Sequence, residues 1–149
     1  MPRTMGALRA IAIVGLLGIA VTHAGELSDK LEEVPYQGYL FIALIAVCVG
    51  LAFVARAMQP RTWWSAVLFV AAAPFVLFIV SRTVGLPGGE DDIGAWSEPL
   101  GIASLLVEAF TGLVALRALR ALAPASLIPT RPARRRAAAR GRREPISGF

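Results

Sequence analysis

Four apolar runs, each just long enough to cross a lipid bilayer, leave this chain almost no other way to fold. They lie at about 6–24, 37–56, 62–81 and 98–117. The second has an uninterrupted apolar stretch from Gly38 to Ala55, which at a rise of about 1.5 Å per residue can cross a hydrocarbon core of about 30 Å. Inside lipid a backbone must satisfy its own hydrogen bonds, so each run is expected to be a helix. The expected fold is therefore an all-α membrane protein, a four-transmembrane-helix bundle over residues 1–121. Residues 122–149 follow as a basic cytoplasmic tail.

Composition agrees. With 56% hydrophobic residues and a mean hydropathy of +0.66 in 149 residues, the chain is more apolar than the core of a soluble domain this size requires. The net charge of +5 is sorted to particular segments and forms no patch on a folded domain, which argues against nucleic acid as a partner. If both termini are cytoplasmic, thirteen of the fifteen basic residues lie inside, and only Lys30 and Arg82 lie outside. This is the positive-inside distribution of a multi-pass protein of the cell membrane. The bilayer itself is then the first partner.

The first run has an alternative. Its basic start, apolar middle and Thr22-His23-Ala24 before Gly25 also fit a secretory signal. Ala12, Gly15 and Gly18 favour retention as a span, because small residues at helical spacing make a face for close helix packing. Gly25 to Pro35 reads as a short acidic loop, and Ala57 to Pro60 as a tight link between antiparallel neighbours. Trp63 and Trp64 are expected at the membrane interface. Pro74 is expected to kink the third span. Ser97 is the expected N-cap of the fourth, with Pro99 in its first turn. In the tail, Arg131, Arg134, Arg135 and Arg136 belong to a run of seven arginines able to bind anionic lipid headgroups, at about 1 kcal/mol each near the surface.

One residue in the spans is costly. Glu108 lies near the middle of the fourth run, where insertion of an acidic side chain costs about 2.5–3.5 kcal/mol, so it must face protein. Gly101, Ser104, Glu108, Thr111, Gly112 and Ala115 share its helical face. Glu108, with Ser104 and Thr111, is either a proton or cation site or a polar pin hydrogen-bonded to a neighbouring helix at Ser65. Arg82 and Glu98 stand at the two sides of the outer hairpin mouth and are expected to pair there. His23, the only histidine, reads as an outer-interface polar residue beside Glu26. Glu90, Asp91 and Asp92 read as a solvated cluster. No metal-ligand spacing, cofactor motif or catalytic constellation is present, and the single Cys48 excludes an intramolecular disulfide.

The string SRTVGLPG at Ser81 to Gly88, an acidic loop, and EPLGIASLLVE at Glu98 to Glu108 together resemble small multi-span membrane proteins of actinobacteria. VPYQGYLF at Val34 to Phe41 is similar in manner. The resemblance covers residues 81 to 108 and implies a four-span fold with a joint role for Arg82, Glu98 and Glu108; it implies no chemistry. In size and span count the chain is also like the DoxX-type membrane proteins, without a specific motif.

The expected function is non-enzymatic: a partner-binding or accessory membrane subunit, with a second membrane protein or a further copy of the chain as partner. The alternatives are a proton- or cation-coupled transporter component using Glu108, and a DoxX-like oxidoreductase subunit.

Overall fold

The computed structural model describes residues 2–123, and the tail arginines Arg131, Arg134, Arg135 and Arg136 lie outside them. Among the described residues there are five α-helices and no strand. Helix α1 is Pro2–Gly25, α2 is Leu27–Glu33, α3 is Pro35–Phe53, α4 is Pro60–Thr83 and α5 is Pro99–Ala121. All but α2 are long and apolar enough to cross a membrane. All four of these begin on a proline, a residue whose missing N–H is not needed in the first helical turn.

Helix α5 packs along both α4 and α1, and α1 also packs along α3. Helices α3 and α4 touch far less, despite the tight link between them. The close α1–α5 approach rests on glycine. A side chain at Gly15 would strike the Thr111 side chain, and one at Gly18 would come within 3.0 Å of Val107. The small faces of the first and fourth spans are thus used against each other and are not left free to join a second copy. The surface away from these contacts is apolar, with Val14, Phe69, Leu106 and Leu113 each about two-thirds exposed or more, as a lipid-facing surface must be.

Several local expectations change. The acidic loop contains α2, which folds back on α3 with Leu31 over Gly38; an added Cβ there would lie 2.6 Å from the Leu31 side chain. Trp63 and Trp64 are fully buried inside the protein and do not present their rings to lipid. Their rings meet edge to face at 4.7 Å, and the Trp63 indole N–H donates to the Leu51 carbonyl at 2.9 Å. That carbonyl lies in the last turn of α3, where acceptors run out of helical partners. The N-cap of α5 is Glu98 and not Ser97, with no side-chain capping bond; the Glu98 carboxylate is drawn to Arg82 instead. Pro74 sits inside an unbroken α4.

The connection from α4 to α5 is organised by glycines at left-handed backbone. Gly85 (φ 87°) closes α4, its N–H donating to the Val80 carbonyl at 3.0 Å. Gly94 (φ 80°) donates to the Arg82 carbonyl at 3.0 Å, which folds the loop back over the end of α4. Glycine meets little steric penalty in this region. The fold-back delivers Asp92 to Arg82.

Candidate functional site

Arg82, in the last turn of α4, has a side chain only 4% exposed. Its guanidinium binds Asp92 Oδ1 at 2.6 Å, the Asp92 carbonyl at 3.3 Å and the Glu98 carboxylate, and it stacks over the Phe78 ring at 4.8 Å. The Arg82–Glu98 contact is the one the sequence suggests. Asp92 is the residue it misses: expected to be solvated, it also holds Lys30 of α2 at 3.4 Å. Asp92 therefore ties two cations from different elements, while Tyr36 donates to the Pro87 carbonyl at 2.9 Å. Together they fasten α2 and α3 to the α4–α5 loop.

Beneath this cluster lies a cavity of about 290 Å³. Leu40, Phe41, Leu44, Pro74, Leu77 and Phe78 form its apolar walls. Leu40 and Leu77 are also about half exposed, so the cavity reaches the lipid-facing surface in the thin contact between α3 and α4. Toward the basic end it stops at Glu108, beyond which Leu16, Val67 and Ala71 fill the interior.

Glu108 and His23 form the floor. Side chains lean toward the N-terminus of their own helix, so on antiparallel α1 and α5 these two lean toward each other. Their closest atoms, His23 Nε2 and Glu108 Oε1, are 3.7 Å apart, just beyond hydrogen-bond length. His23 Nδ1 lies 3.0 Å from the Ile19 carbonyl. A carbonyl only accepts, so Nδ1 carries a proton, and in the neutral ring Nε2 presents a lone pair to Glu108. Glu108 Oε1 already accepts from Ser104 Oγ at 2.6 Å. The imidazole and the Glu108 carboxyl thus face each other at the cavity floor.

The partner expected for Glu108 at Ser65 is not used: Ser65 faces outward, and the bond goes to Ser104 on the same helix. His23 is buried against Phe41, at 4.6 Å between ring centres. Nor does Thr111 enter the cavity. It sits below, against Gly15, with its hydroxyl donating to the Val107 carbonyl at 2.7 Å. His23 was legible as a lone polar residue at a span end, but which helix it would face depends on the offset between α1 and α5.

Glu26 lies above His23, at the cavity wall. Burial pushes its carboxyl above the ordinary value of 4.5, and the nearby charge of Glu98 pushes further, while Lys30 and Arg82 pull the other way. The folded chain thus holds this proton more tightly than the unfolded one, so the stability linked to Glu26 is full below pH 4.5 and is lost as pH rises through the folded value. The expected result is that Glu26→Gln flattens this part of the melting-temperature profile in lipid nanodiscs. An unchanged profile would place the Glu26 carboxyl in water.

Four helices long and apolar enough to cross a membrane, around a cavity floored by Glu108 and His23, mark a multi-pass membrane protein with an internal cavity. Comparison with protein-family models, with curated proteins and with solved structures returns no match.

Proposed function

We propose that this chain is a non-enzymatic binding component of the plasma membrane that takes a small ligand into its cavity, alone or as an accessory subunit of a larger membrane assembly. One observation carries the reading. Among the described residues four buried side-chain polar atoms have no partner, and three of them, Glu26 Oε1, Arg82 Nε and Glu108 Oε2, belong to residues lining the cavity. Buried polar groups without partners are rare because each costs free energy. Their concentration around one cavity is what a ligand site requires.

Both termini are assigned to the cytoplasm, the four spans forming a bundle whose acidic end and cavity face outward. Arg56, Arg61, Arg117 and Arg120 gather at the other end, next to the basic tail, whose arginines would hold anionic headgroups. Cys48 is the only cysteine and is buried, so single cysteines placed elsewhere report topology. Cysteine at exposed Ser28 is expected to react with an impermeant maleimide in intact cells, and cysteine at exposed Gln59 only after permeabilisation. The opposite pattern would invert the orientation.

Native mass spectrometry of the protein released from nanodiscs tests the binding role. The expected spectrum shows a bound small molecule or a stoichiometric protein partner. Ala73→Phe, which fills the cavity from α4, should lose the small molecule while the fold, read by helical circular dichroism, persists. A bound quinone or haem would move the assignment to an oxidoreductase subunit. Transport coupled to protons or cations through Glu108 is the second reading, favoured by the Glu108–His23 pair; it requires the packing at Leu16, Val67 and Ala71 to open.

A further inference from the structure

We infer that the cavity's ligand is a small lipophilic organic cation, an amine or quaternary ammonium whose charge sits between Glu108 and Glu26 and whose apolar body lies along Phe41, Leu44, Leu77 and Phe78. This rests on the cavity being a binding site and names the chemistry that fills it.

Most polar groups at the cavity are already spent on one another. Lys30 is held by Asp92 and Glu33 at 3.4 and 3.3 Å, and the terminal nitrogens of Arg82 by Asp92 and Glu98. The two cations at the cavity are thereby neutralised, and an anionic ligand would have to displace a carboxylate to reach either. Among the fully buried atoms of the lining residues, what remains unpartnered is mainly acceptor, Glu108 Oε2 and Glu26 Oε1, with His23 Nε2 turned toward Glu108 beside them. Among those fully buried atoms the one unpartnered donor is Arg82 Nε. Glu108 is 2% exposed, so its free oxygen has no bulk water to turn to.

No element packed around Glu108 supplies a free counter-charge among the described residues. Helix α1 offers His23, the α1–α2 junction Glu26, α2 Lys30, α3 the Cys48 thiol, α4 Arg82, and the following loop Asp92, with Ser104 on α5 itself. The one unspent charge close to the floor is a second carboxylate. Two acids that oppose each other favour a cation between them.

Size and access narrow the ligand. About 290 Å³ is at the lower end of small-molecule sites, which run from about 300 to 1,000 Å³, and is too small for a two-chain lipid. The half-exposed Leu40 and Leu77 open the wall toward lipid, so a solute dissolved in the bilayer can enter sideways. The Phe41 ring at the cavity wall adds an aromatic group of the kind that attracts cations.

The test uses matched probes on the full-length protein in nanodiscs, by equilibrium dialysis: benzyltrimethylammonium, its uncharged carbon isostere neopentylbenzene, and the anion phenylacetate. The cation is expected to bind at least tenfold more tightly than the isostere, corrected for partition into empty nanodiscs. Glu108→Gln should remove that preference without weakening the isostere. Because one proton and the cation compete for the same oxygens, cation affinity should fall by up to about tenfold per pH unit on acidification. Glu26→Gln serves as the second variant and should weaken the cation if Glu108→Gln does not fold. Equal binding of cation and isostere, or preference for the anion, overturns the cation assignment while leaving a binding site. No binding by any of the three removes the site itself, and with it the proposed function.

Discussion

Replacing Arg82 by leucine is expected to destabilise the protein more than any other single polar substitution, by about 3–5 kcal/mol. That is the range for breaking a buried ion pair, because the partner left behind keeps its charge without compensation. Here the stranded partner is Asp92, whose side chain is 19% exposed. Glu98 is 40% exposed and can turn to water, so its share is small and the lower half of the range is expected. Loss of Arg82 also frees the loop that Gly94 folds back, and with it the anchor for Lys30 of α2. Arg82→Lys should fall between wild type and leucine, since one ammonium cannot grip Asp92 and Glu98 in the forked geometry. Adding Asp92→Asn to Arg82→Leu removes the stranded charge and should recover part of the loss. Thermal unfolding in nanodiscs gives the comparison; a leucine variant that melts with wild type would show that this cluster does not hold the fold.

The second large effect is expected at Gly15. Even alanine there places a Cβ against Thr111, which is fully buried and whose Cβ and Cγ2 would both lie at 3.2 Å. A β-branched side chain cannot swing clear, so α1 and α5 must separate. Overpacking of this kind costs about 1–3 kcal/mol, and the separation draws His23 away from Glu108, so cavity binding should weaken together with stability. Glycines with open surroundings supply the control: nothing lies within 4 Å of a Cβ at Gly50, and Gly50→Ala should change stability by no more than about 0.5 kcal/mol. Thr111→Ala in the Gly15→Ala background removes Oγ1 and Cγ2, leaving only the Cβ in close contact, and should restore part of the loss. If Gly15→Ala and Gly50→Ala behave alike, the α1–α5 contact is looser than described.

The sequence alone determined the number, length and approximate bounds of the spanning helices, because a bilayer fixes how many apolar residues a helix must offer and a proline or charge marks each end. It also singled out Glu108, since a carboxylate in an apolar run has no low-cost position except against protein, and it suggested the contact between Arg82 and Glu98 from their places at one hairpin mouth. The small faces of α1 and α5 were legible too, through glycine spacing, but not that they would meet each other.

Tertiary structure decided the rest. Whether His23 faces Glu26, lipid or Glu108 depends on how far α1 slides along α5, and no local pattern encodes that offset. Asp92 looked like one of three equivalent loop acids until the left-handed turn at Gly94 aimed it at Arg82. The cavity has no sequence signature, for it is the space left where α3 and α4 part above their tight link. Local chemistry could name the costly residues; only packing of helices distant in sequence could gather them around one space.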